Sequence, residues 1–312
     1  MPQARLLERS QTASGAPLQR GALDLARRLP QLMIAAKDIA ATVIHGVHGR
    51  KRAGVGETFW QFRPFVHGES AGDIDWRRSA RDDRMYVRER EWEAAHTVWL
   101  WIDRSPSMDY VSDLARQPKI DRALTLGLAA ADLLVRAGER VGLLSVTRPL
   151  ATRGIVERLA EALLDDERKP SEQTHADLPL ADPLPARCQA VLIGDFLSPA
   201  GKIKTAIEAL SARGAAGHVV MIADPVEETF PFAGHIELTD SDSPARLRVG
   251  RAEVFRATYV EKLALHREAL RAVCHARGWS FAIHRTDRPA AEALLALRMR
   301  LEDGGKTYAG SA

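Results

Sequence analysis

The chain has 312 residues, with 44 Lys and Arg against 41 Asp and Glu, so its formal charge is +3. That near-balance excludes the broad basic field of a dedicated nucleic-acid binder. A content of 46% hydrophobic and 27% charged residues excludes wholesale disorder.

Residues 1–22 are polar and aperiodic and read as a flexible arm. The spacing of Leu29, Leu32, Met33, Ala36, Ile39, Ala40, Val43 and Ile44 predicts a helix opened by Pro30 and ended by Gly46. A stretch rich in Trp and Arg follows, and five of the six tryptophans fall between residues 60 and 101. Short strands and turns with indole anchors are expected there. Helix and stretch together, residues 23–95, make a small helix-plus-β layer on the main domain. From residue 97, apolar β-type runs at 97–102, 141–146, 190–193, 218–222 and 279–284 alternate with helical patterns at 120–137, 155–164, 202–212, 251–276 and 289–301. This predicts an α/β domain over 96–302, a mostly parallel sheet flanked by helices, with a small β excursion near 236–249 and a frayed tail at 303–312. No stretch approaches the roughly 18 apolar residues of a membrane span, and no apolar signal region opens the chain. A soluble, cytoplasmic protein is expected. Cys188 and Cys274 form no metal-type pair and no disulfide framework, so buried thiols in a reducing compartment are the simpler reading.

The segment Ile102-Asp103-Arg104-Ser105-Pro106-Ser107-Met108 stands where the first strand of the α/β domain is predicted to end. Ligands bind such sheets at the carboxyl ends of the strands. One carboxylate and two hydroxyls at alternate positions can turn toward a single point. All are hard oxygen donors, suited to Mg²⁺ or Mn²⁺ rather than zinc. A lone D-x-S-x-S is more often a turn or a helix cap. Here Asp195, at the end of another predicted strand, supplies a second carboxylate, and Thr174 in the polar loop 171–176 offers a third hydroxyl. Asp103, Ser105, Ser107, Thr174 and Asp195 are thus the candidate metal ligands. The set resembles the metal-ion-dependent adhesion site of von Willebrand factor A domains: D-x-S-x-S after the first strand, a Thr loop, then an Asp after the fourth. It departs from that pattern in two places. The Thr174 loop lacks the Gly-Gly often preceding that Thr, and Phe196 stands where a Gly commonly follows the Asp.

Four further strings resemble the bacterial family catalogued as domain of unknown function 58. They are Gly54-Val55-Gly56-Glu57-Thr58-Phe59; Phe62-Arg63-Pro64-Phe65; Gly72-Asp73-Ile74-Asp75-Trp76-Arg77-Arg78-Ser79-Ala80-Arg81; and Val87-Arg88-Glu89-Arg90-Glu91-Trp92-Glu93. The likeness covers roughly residues 40–290, and I-D-W-x-x-S-A-R upstream of D-x-S-x-S is its hallmark. It implies a von Willebrand factor A-like, Rossmann-like fold, no known enzymatic activity, and a MoxR-type AAA+ ATPase as partner. Physically, Trp76, Arg77, Arg78 and Arg81 admit two readings: a solvated charge network around a Trp that seals the sheet edge, or a partner surface, since Trp and Arg are typical hot-spot residues. The interleaved acids Asp73, Asp75, Asp82 and Asp83 argue against RNA or phosphate there.

The expected function is a non-enzymatic binding module. A divalent cation held by the Asp and Ser residues would grip an acidic residue of a protein client. A metal-dependent phosphoesterase using Asp103 is the alternative, weakened because Ser105 stands where such enzymes need a second Asp. A scaffold with an empty site is the third. His45 and His48 at the helix end read as a cap or surface pair. Gly305-Lys306-Thr307 is no phosphate loop, because Arg300 stands where its first Gly is required.

Overall fold

A computed structural model describes residues 4–6, 16–47, 59–66, 74–81, 84–90, 96–171, 174–239, 241 and 245–309. They fall in two units, residues 48–95 and the remainder of the chain. The larger unit opens with β1 (Ala4–Leu6) and α1 (Ala16–Val47). The smaller contains β2 (Phe59–Pro64), α2 (Trp76–Ser79) and β3 (Tyr86–Arg90). The larger resumes with β4 (Thr97–Ile102), a 3-10 turn (Pro106–Asp109), β5 (Tyr110–Ser112), α3 (Lys119–Arg136), β6 (Arg140–Leu143), α4 (Ile155–Arg168) and β7 (Gln189–Gly194). It ends with α5 (Ala200–Leu210), β8 (Ala216–Ala223), α6 (Pro225–Thr229), β9 (Ile236–Thr239), β10 (Arg246–Val249), α7 (Ala252–Ala276), β11 (Ser280–Arg285) and α8 (Ala290–Ala309).

The five apolar runs form one sheet, in the order β11-β8-β7-β4-β6, with every pairing parallel. The chain enters at β4, steps to β6 on one side, then crosses to β7, β8 and β11 on the other. The strand order therefore reverses between β4 and β7, the topological switch point where open α/β sheets bind ligands. The architecture is the expected α/β sheet flanked by helices. β7 is buried at each position from Gln189 to Gly194, as a strand covered on both faces must be. Leu100 and Ile102 pack on one face with Leu124 and Leu128 of α3, Leu159 of α4 and Leu294 of α8. Trp101 points to the other, with Ile207 of α5 and Leu270 of α7. Gly127 lets α3 come close to the sheet: a Cβ there would lie 2.5 Å from Ile102 Cδ1. Cys188 and Cys274 are buried and free.

Three expectations change at the N-terminal side. Residues 4–6 pair with β5, and α1 starts at Ala16 and runs through Pro30, so 1–22 is not simply an arm. A proline inside a helix removes a hydrogen bond and costs about 3 kcal/mol. The stripe Leu25, Leu29, Leu32, Ala36, Ala40 and Val43, buried in the same core as α3, α4 and α8, offsets it. Arg28–Asp121 (2.6 Å) and Lys37–Glu157 tie α1 to α3 and α4. The helix accordingly belongs with the larger unit and not with the Trp/Arg-rich stretch expected beside it in 23–95. At the other end α8 continues to Ala309, into the stretch expected to fray.

Candidate metal centre

β4 and β7 run side by side with Ile102 opposite Ile193, so Asp103 and Asp195 leave the sheet next to each other. The Asp103 N–H donates to Ile193 O at 2.8 Å, carrying the ladder one residue past the strand. Fully buried, Asp103 accepts the Ser105 N–H on Oδ1 at 2.9 Å. That turn brings the Ser105 and Ser107 hydroxyls to 3.1 Å from each other. Ser107 Oγ donates to Asp195 Oδ2 at 2.7 Å. A hydrogen-bonded path thus joins Asp103, Ser105, Ser107 and Asp195. Thr174 is not on it: its Oγ1 accepts the Ser171 N–H at 2.8 Å and closes its own loop.

Asp103 Oδ2 is buried yet has no hydrogen-bond partner among the described residues. Burial, and the charge of Asp195 beside it, push the Asp103 carboxyl well above the usual carboxylate range. Gly194 makes the room: a Cβ there would sit 2.8 Å from that same oxygen. Burial also works against ionised Asp195, but the Lys119 ammonium and Ser107 hold its carboxyl below the usual range.

The sequence reading missed two members of this cluster. Lys119 is 1% exposed, and its Nζ donates to Asp195 Oδ2 at 2.9 Å and to Glu227 Oε1 at 2.6 Å. Burial opposes the ammonium, but the two carboxylates outweigh it and hold Lys119 charged, above the ordinary lysine range. Burial raises the Glu227 carboxyl, with Lys119 opposing. Glu227 also accepts the Asp224 N–H at 2.8 Å, completing a capping box at the start of α6. Both had signals: Lys119 is a cation in the first turn of a helix, where the dipole disfavours it, and Asp224-Pro225-Val226-Glu227 is a capping sequence at the end of an apolar run.

Arg104, the variable position of the motif, turns its buried guanidinium to Asp166 (2.5 Å) and Glu167 (3.3 Å) near the end of α4. His175 Nδ1 lies 3.0 Å from Arg104 O. These contacts pin the turn from its back. Phe196 adopts φ 48°, the left-handed conformation that favours glycine. Its buried ring, 5.9 Å from Trp101, and the His266 contact to its carbonyl at 2.7 Å hold it there.

Among the described residues, no group of three or more His, Cys, Asp and Glu is arranged to hold a metal ion. The donors that do converge are two carboxylates and two hydroxyls, with one carboxylate oxygen left over. That set fits a hard divalent cation.

In the smaller unit, Asp75 Oδ1 accepts the Arg78 N–H (3.0 Å), while Ser79 Oγ donates to Asp75 O and accepts the Tyr86 N–H, both at 2.9 Å. The Asp and Ser of the I-D-W-x-x-S string therefore tie α2 to β3. Trp76 is 62% exposed. Arg77 and Arg81 are exposed as well, and the Arg78 guanidinium lies 4.8 Å from the Tyr86 ring centre. Asp73, Asp82 and Asp83 lie outside the described residues.

The family described as "Protein of unknown function DUF58" matches over residues 61–269, a span holding the string, the D-x-S-x-S turn, Lys119, Asp195 and Glu227. The chain belongs to this family. Uncharacterized proteins of Mycobacterium bovis and Mycobacterium tuberculosis are 26% identical to it over 300 residues, covering 86% of this chain and 88% of theirs. Two solved structures are similar over 67% of this chain and 100% of their own. One is BatB from Bacteroides thetaiotaomicron (11% identity, TM-score 0.36), and the other an aerotolerance-related membrane protein from Bacteroides fragilis (14% identity, TM-score 0.39). No helix among the described residues of this DUF58 chain is long and apolar enough to cross a membrane.

Proposed function

We propose that this DUF58 protein is a non-enzymatic, metal-dependent protein-binding module. Asp103, Ser105, Ser107 and Asp195 hold one Mg²⁺ or Mn²⁺, and an acidic residue of a protein client fills the coordination place they leave. The cation, when bound, supplies the charge that grips the client's carboxylate. By family resemblance, a MoxR-type AAA+ ATPase acts on the client so held. The exposed Trp76 and Arg77 of α2 and Arg81 just beyond it, together with Arg78, are a second contact surface.

The observation that carries the reading is the buried Asp103 Oδ2, which has no hydrogen-bond partner among the described residues. A buried carboxylate oxygen without a donor is costly, and this one lies at the switch point, in a turn whose hydroxyls lead to a second carboxylate. Thr174 has no part in the proposed ligand set. The hydrolase alternative gains no support: Ser105 replaces the second Asp, and Asp195 is engaged by Lys119 and Ser107.

The test is thermal unfolding of the full chain in MgCl2 or MnCl2 against EDTA. A ligand confined to the folded state stabilises by RT ln(1 + [L]/Kd), about 2.7 kcal/mol at a hundred times Kd. The wild type should show the rise and Ser105→Ala/Ser107→Ala should not. An unresponsive wild type contradicts the reading. Turnover of a phosphoester, abolished by Asp103→Asn, would replace it with the hydrolase.

A further inference from the structure

We propose that Lys119 is the resident counter-cation of this centre and holds its divalent affinity down, with Glu227 as the carboxylate that keeps the ammonium in place. The inference rests on the divalent reading of Asp103 and Asp195 given above.

Lys119 begins α3, where the helix dipole disfavours a cation. It is nonetheless enclosed, with its ammonium between two acids. Asp195 Oδ2 is the shared atom, taking hydrogen bonds from both Ser107 and Lys119. Lys119 thereby does two opposed things. It neutralises Asp195 and keeps it facing the Ser107 hydroxyl when no metal is bound. It also repels a divalent ion drawn to the same carboxylate. The one positive charge of Lys119 faces two carboxylates, Asp195 and Glu227, so it answers the acids at one side of the centre and leaves Asp103 without a cation of its own. Glu227 accepts from Lys119 and is tied to the α6 capping box. It stabilises the ammonium and adds to the negative field without joining the Asp103 turn. A centre built this way binds a bare ion more weakly than the same oxygens would without Lys119, and a ligand oxygen brought by a client raises its occupancy.

Calorimetric titration of the full chain with MgCl2 and MnCl2 alone tests this. Removing a unit charge that shares a carboxylate with a divalent ion changes affinity by about tenfold even at the dielectric of water. Lys119→Met should therefore bind the ion about tenfold more tightly than wild type, while unfolding earlier in EDTA. Glu227→Gln should bind more weakly. Binding by Lys119→Met with a silent wild type contradicts the divalent reading of the wild-type centre, and the inference falls with it. Lys119→Met binding equal to or weaker than a responsive wild type overturns the role of Lys119 and leaves the divalent centre standing. Silence of every protein overturns both. Should Lys119→Met fail to fold, Lys119→Met/Glu227→Gln removes the buried pair together. Its affinity should exceed that of wild type, and an equal or lower value refutes the inference.

Discussion

Replacing Asp103 by Asn separates what this residue does for the fold from what it does for a cation. The side chain keeps its shape, and the amide oxygen can still accept the Ser105 N–H that Asp103 Oδ1 accepts at 2.9 Å. The amide NH2 takes the place of the buried Oδ2, which lacks a partner among the described residues, and carries no charge for burial and Asp195 to oppose. A buried polar atom left unsatisfied costs roughly 1–3 kcal/mol, and repulsion by Asp195 adds to that. Asp103→Asn is therefore expected to stabilise the metal-free protein by about 1–2 kcal/mol. The order reverses with metal: at a hundred times Kd the wild type gains about 2.7 kcal/mol and the variant gains none. The assay is urea unfolding at neutral pH in EDTA and in excess MgCl2. A variant less stable than wild type in EDTA, or one gaining as much from Mg²⁺, refutes the reasoning.

Gly194→Ala would force a Cβ to within 2.7 Å of Asp103 Cβ. It should lower stability by about 1–3 kcal/mol, the usual cost of overpacking, and erase the divalent response, read by the same unfolding curves. Phe196→Gly relieves a left-handed backbone worth about 1 kcal/mol but removes a buried ring worth about 3–5 kcal/mol. A net loss of about 2–4 kcal/mol in chemical denaturation is expected, and a gain would show that the ring contributes little. Burial, with Arg300 nearby for His218 and Arg122 for His284, depresses both histidines to about 4 from the ordinary 6.5. The unfolded chain takes up these protons near pH 6.5 and the folded one only near 4, so their contribution is complete above 6.5 and is lost as pH falls toward 4. The loss reaches about 3 kcal/mol per residue. His218→Asn/His284→Asn should flatten stability against pH across that window, and an unchanged slope would contradict the assignment.

The sheet was legible because its strands are covered on both faces, so runs such as Ala190–Ile193 and Thr97–Ile102 stand out as uninterrupted apolar segments between helical periods. That Asp103, Ser105 and Ser107 share a turn leaving β4 was legible because a chain leaving a buried parallel strand must turn there. Thr174, whose hydroxyl accepts the Ser171 N–H, came in by analogy, since a loop tens of residues away carries no local signal of where its hydroxyl points. Lys119 and Glu227 escaped because their meaning is tertiary. One starts a helix, the other caps a different one, and only the fold of β7 and β8 brings them to Asp195. The start of α1 escaped because Pro30 is a strong local sign of a first turn. The apolar stripe at Ala22 and Leu25, which continues the face through the proline, outweighs it. Three-residue β1 is too short for any periodicity to register.

The central claim is that Asp103, Ser105, Ser107 and Asp195 bind one hard divalent cation. Crystals grown with Mn²⁺ and measured for its anomalous signal test it directly. The account predicts a single strong peak within coordinating distance of the Asp103 carboxylate and the serine hydroxyls. A map with no peak there, in crystals where Mn²⁺ is bound elsewhere or nowhere, would contradict it.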